Sequence, residues 1–218
     1  MIIYIFLLPV MFLMLIQGLV WTKSLPGKIK VITFIIIIAM IFRYISISIM
    51  LFATNMKYLY MLKIPFFLNL IVVPMIVFTV LYIFIRKNNI KFYYIFIISI
   101  MLILLYIFIM YKCAAVLQIV EKSVYTLVFL QHIYIYWTYI VFNTLIIFFV
   151  LGFVNKKGVN KLGIYLVLLA AFVTVIESIL WFMGIRILVE NILGDIFWVI
   201  VLIYALNKVK KNLVTRLN

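Results

Sequence analysis

Apolar runs of about twenty residues follow one another along nearly the whole 218-residue chain, separated only by short basic loops. A run of that length with few or no charges is long enough to cross the hydrocarbon core of a bilayer as a helix. The runs are continuous rather than alternating, and lipid offers no partner to a backbone amide, so each segment must satisfy its own hydrogen bonds. That favours helices over a barrel. With 71% hydrophobic and 11% charged residues, the chain also has too little charge to cover a globular surface of this size. The expected fold class is all-α, a polytopic membrane protein.

The positions of the charges set the expected topology. A formal net charge of +15 fits a nucleic-acid partner in bulk, but the cations come as short clusters between apolar spans. The clusters Lys23/Lys28/Lys30, Arg86/Lys87/Lys91, Lys156/Lys157/Lys161 and Lys208/Lys210/Lys211/Arg216 alternate with the sparser Lys57/Lys63, Lys112/Lys122 and Arg186. By the positive-inside rule the dense clusters are cytoplasmic. This alternation predicts a seven-helix bundle, N-terminus outside and C-terminus inside. The spans are about 2–21, 31–52, 64–85, 92–111, 132–154, 162–183 and 188–206, followed by a basic cytoplasmic tail at 208–218. Residues 112–154 are too many for one span and barely enough for two. A second span there would place the Lys156–Lys161 cluster outside, so one helix from 132 to 154 is expected after an extracellular or interfacial segment at 113–131. Pro65 opens span three where a missing amide costs nothing, and Pro74 predicts a kink. Trp21, Tyr58, Tyr60, Tyr93, Tyr94, Tyr111, Tyr165 and Tyr204 fall near span ends, where aromatic belts form. Residues 1–20 carry no Lys or Arg, so no cleaved signal peptide is expected.

A charge at mid-bilayer costs at least about 2.5–3.5 kcal/mol on insertion scales, so each intramembrane charge needs a reason. Helical spacing places polar residues on single faces: Ala39, Arg43, Ser46 and Met50 in span two; His132, Tyr136, Tyr139 and Asn143 in span five. Span six gives Ala170, Thr174, Glu177 and Trp181, and span seven gives Asn191, Asp195 and Trp198, with Glu190 turned roughly 100° from Asn191. At 1.5 Å per residue, Arg43, Asn69, Glu177, Glu190 and Asp195 lie roughly 16–24 Å above the inner ends. One cation and three carboxylates at one level predict an outward-facing polar pocket of Arg43, Asn69, Tyr136, Asn143, Glu177, Trp181, Glu190, Asp195 and Trp198. Arg43–Glu177 is the first expected pair. The same residues also read as a buried ion pair fixing helix register, with Glu190 and Asp195 at an interfacial helix start. Ala170, Thr174 and Ser178 read as a close helix-packing face.

Chemistry finds little support. Cys113 and His132 lack the context of a nucleophile and its base, and no His-Glu-x-x-His is present. Residues 188–206 hold no lysine for a retinal Schiff base, and there is no glycine-rich phosphate loop. No enzyme activity, cofactor or metal is expected.

Several stretches together resemble the N-terminal seven-helix sensor region of bacterial histidine kinases and related signalling proteins. They are Pro26-Gly27 after span one, Pro74–Arg86 (PMIVFTVLYIFIR), His132-Ile-Tyr134-Ile-Tyr136, and ESILWFMGI leading into an acid-bearing last span. The resemblance implies a sensor in the bacterial plasma membrane; as a departure from the family's pattern, no kinase or cyclase output domain is expected in the twelve residues after span seven. The expected function is a sensor or receptor-like protein binding a small or lipidic ligand. Its expected partners are the bilayer and a signalling protein met by the basic inner loops, with no nucleic acid. The alternatives are a small transporter using intramembrane carboxylates and a non-catalytic structural or immunity-type membrane protein. The tail reads either as an extension of span seven by a short basic helix, with Val209, Leu213 and Leu217 near one face, or as a solvated end.

Overall fold

The computed structural model describes residues 2–53, 56–85, 91–121, 124–130, 133–185 and 191–217. Among them are the helices α1 (Ile2–Thr22), α2 (Gly27–Phe52), α3 (Lys63–Phe66), α4 (Asn69–Ile85), α5 (Tyr93–Lys112), α6 (Ile133–Leu151), α7 (Lys161–Phe182) and α8 (Ile192–Leu217). Six stretches are long and apolar enough to cross a membrane: α2, the Tyr58–Ile85 run, α5, α6, α7 and the first 21 residues of α8. The apolar helix at Phe6–Thr22 is shorter. The chain is built as a multi-pass membrane protein, and Phe, Leu and Ile side chains stand exposed along its flanks, as a lipid solvent allows.

Two helices form the centre. α8 packs against α1, α4 and α7, and α4 packs against α2, α5, α7 and α8. Lipid tails are as apolar as leucine, so such packing needs small residues that let backbones approach. Ala170, Ala171 and Ala205 are buried at these contacts. A Cβ at Gly194 would lie 2.6 Å from Thr174 Oγ1 and 3.2 Å from Thr174 Cα, so only glycine lets α7 and α8 come this close. The expected packing face on α7 is real.

Two expectations change. The chain is not purely helical: β1 (Ala115–Glu121) and β2 (Val124–Phe129) pair antiparallel, with Leu117 opposite Leu127 and Ala115 opposite Phe129. This hairpin fills the expected 113–131 segment, and β2 lies against α2. Its cause is local: Val, Ile, Leu, Tyr and Phe at strand spacing, in a connection too long to stay structureless. Span three is not one helix either. A 3₁₀ stretch, Met56–Leu62, leads into α3, and the chain breaks at Phe67–Leu68 before α4. Pro74 sits inside α4. Of the two readings of the tail, the helical one holds: α8 continues through it as one 26-residue helix to Leu217.

Candidate functional site

The break between α3 and α4 creates the site's central need. In a regular helix Leu70 N–H would reach Phe66 O, but it donates to Phe67 O at 3.1 Å; Leu68 N–H likewise lies 3.5 Å from Pro65 O rather than reaching Ile64 O. Two carbonyls are thereby released inside the membrane, where an unsatisfied group costs several kcal/mol. Both are recovered by side chains of other helices. Tyr106 of α5 donates its hydroxyl to Ile64 O, and Arg43 of α2 donates Nη1 to Phe66 O. The Arg43 guanidinium carbon also stands 5.6 Å from the Phe66 ring centroid.

Arg43 then needs a counter-charge, because an isolated ion in a dry interior is prohibitive. It comes from α8: Arg43 Nε donates to Asp195 Oδ2 at 2.8 Å, and both side chains are 0% exposed. Tyr44 donates its hydroxyl to the same oxygen at 3.4 Å. Ser46 donates to Arg43 O at 2.6 Å, which fixes the turn that carries the arginine. Asp195, not Glu177, is therefore the partner of Arg43. Depth in the bilayer could not separate two acids on neighbouring helices.

Glu177 has another task. The first amides of a helix have no partner within it. Glu177, reaching across from α7, accepts Leu193 N–H at Oε1 (3.0 Å) and Gly194 N–H at Oε2 (2.7 Å), so it caps α8 from outside. A carboxyl at this end also meets the positive pole of the helix. Beside it, Ser178 Oγ bonds Asn191 Oδ1 at 2.9 Å, and Asn191 takes a left-handed φ of 58°, which asparagine tolerates better than most residues. One turn further in, Trp198 donates Nε1 to Thr174 Oγ1 at 3.1 Å.

The remaining expected residues divide. Trp181 stacks near Tyr136 at 5.1 Å between centroids, and Tyr136 accepts Phe129 N–H at 3.1 Å. Phe129 stacks on Phe67 at 3.9 Å and 21°. An aromatic chain thus runs from the helix break, through the hairpin, to α6 and α7. Asn69 is 1% exposed, and among the described residues neither atom of its amide has a partner. The same holds for Asp195 Oδ1 and Asn143 Oδ1; Asn143 Nδ2 donates back to Tyr139 O on its own helix. Glu190, Arg186 and His132 lie outside the described residues. The spacing of polar residues did not reveal Tyr44, Phe66, Tyr106, Phe129 or Gly194. Only Gly194, directly before Asp195, left a sequence signal.

The centre is buried rather than open outward. Beside it, a cavity of about 160 Å³ is lined by Val173, Ile176, Glu177, Leu180, Trp181, Ile185 and Leu193. Each Glu177 oxygen accepts one amide and keeps further lone pairs, so a carboxyl edge beside an indole is the cavity's polar feature. Among the described residues no three His, Cys, Asp or Glu side chains gather as a metal site, and Cys113 is a buried free thiol with Tyr134 Oη at 3.6 Å. Comparison with protein-family models finds no match, and comparison with curated proteins finds none either.

Proposed function

We propose that the chain is a seven-helix membrane protein of sensor or receptor-like type, N-terminus outside and C-terminus inside. A small cationic or hydrogen-bond-donating ligand would act at the Glu177 cavity and be read through α8. One observation carries this reading: Glu177 both lines a cavity and holds the first amides of α8. From that point α8 runs 26 residues to Leu217, about 39 Å at 1.5 Å per residue, past Asp195 and on to Lys208, Lys210 and Lys211. A ligand that binds better when Glu177 is drawn off the two amides therefore shifts the position of the basic end.

Spin labels at Lys157→Cys and Lys210→Cys, in a Cys113→Ser background in lipid nanodiscs, measure this by double electron–electron resonance. Glu177→Ala is expected to displace the distance distribution, and methylammonium to displace it in the unsubstituted site. Identical distributions in all three samples would sink the reading.

A second reading is a small transporter, favoured by buried atoms of Asn69, Asn143 and Asp195 that have no partner among the described residues and offer polar steps through an apolar core. It requires proton or cation flux into liposomes that Asp195→Asn abolishes.

A further inference from the structure

α5 packs on α4, and α6 packs on α7. Between α5 and α6 a cleft stays open, floored by α4 and divided by Phe142, whose ring lies 6.2 Å from that of Phe78. The outer part encloses about 350 Å³ and the inner about 560 Å³. Volumes of this size hold a ligand. The inner part has walls of Leu81, Ile85, Ile98, Leu145 and Phe149 and ends at Tyr94 and Phe153.

Cations mark that end. Lys156 Nζ stands 4.3 Å from the Phe153 ring centroid, and Lys91 is tied to Tyr94 by Tyr94 N–H donating to Lys91 O at 3.2 Å. Both lysines are exposed. The sequence around them, residues 86–92 and 152–161, contains six Lys or Arg and no Asp or Glu. An apolar trough ending in uncompensated positive charge is complementary to a molecule with a hydrocarbon chain and an anionic head. Basic pockets between helices bind such lipids. A second copy of this chain is a poor occupant, because its matching helix ends would bring the same cations to the same level.

We infer that the α5–α6 cleft binds an anionic phospholipid of the leaflet on the side of the basic loops, an acyl chain along α4 and the phosphate between Lys91 and Lys156. The site is independent of the Glu177 cavity.

Native mass spectrometry of the full chain, released from detergent with equimolar phosphatidylglycerol and phosphatidylcholine of identical chains, tests it. Two lysines at the surface correspond to roughly thirtyfold preference for the anionic lipid. Lys91→Glu with Lys156→Glu is expected to bring the ratio near parity, and Ile98→Trp, which fills the cleft, to remove retained lipid of both kinds. Should Ile98→Trp not fold, the lysine pair decides alone, since neither side chain is buried. Equal retention of both lipids, a preference that survives the lysine exchange, or a protein dimer that dissociates on Ile98→Trp would each overturn the proposal.

Discussion

The Arg43–Asp195 pair can be weighed by a double-mutant cycle whose outcome the structure fixes in advance. Asp195→Leu takes the bonded carboxylate from a guanidinium with 0% exposure, a loss of about 3–5 kcal/mol. Arg43→Met leaves the carboxylate, among the described residues, with Tyr44 at 3.4 Å as its donor, and costs a similar amount. It also orphans Phe66 O, which adds about 1–3 kcal/mol. In the double variant both ions are gone and two apolar side chains of comparable bulk fill the space. Such replacements are often neutral or stabilising, so only the orphaned carbonyl remains, about 1–3 kcal/mol. The double variant should therefore be at least about 6 kcal/mol more stable than the sum of the singles. Unfolding in mixed micelles, followed by tryptophan fluorescence, reads all four proteins. The companion cycle, Arg43→Met with Glu177→Gln, should couple far more weakly, because Glu177 bonds α8 amides and Asp195 holds the arginine. Additivity in the first cycle or strong coupling in the second would refute the assignment of partners.

Gly194→Ala should destabilise the protein by about 1–3 kcal/mol, because the added Cβ meets the backbone of α7 as well as the Thr174 hydroxyl; Thr174→Ala should recover only part of it, as thermal melts in detergent would show. Asn69→Leu removes two buried polar atoms that have no partner among the described residues, and should stabilise by about 1–3 kcal/mol in the same melts. Unchanged stability would mean that the amide is satisfied by water. Phe129→Ala should cost about 3–5 kcal/mol and reduce the near-ultraviolet signal, since Phe129 stacks on Phe67 and its neighbour ring is Tyr136.

Helical spacing put Arg43 and Ser46, Thr174 and Glu177, and Asn191, Asp195 and Trp198 on the faces that meet, because a 3.6-residue period survives in a chain where nearly everything else is apolar. What spacing cannot carry is rotation between helices, and that decides which acid Arg43 reaches. The hairpin was hidden by the same composition: Val124–Phe129 looks no different from a helical stretch when hydrophobicity is high everywhere. The helix break was hidden because its two repair groups, Arg43 and Tyr106, lie on other helices, far away in sequence.

That repair has a consequence for how the sequence is free to drift. The interruption at Phe67–Leu68 and the arginine on α2 form one inheritance, since each makes the other tolerable: the loose carbonyl gives the cation an acceptor, and the cation gives the carbonyl a donor. A descendant that loses Arg43 gains little by regaining a charge elsewhere. Its shorter route back is to wind Phe67 and Leu68 into a continuous helix, erasing the gap and with it the reason for Asp195.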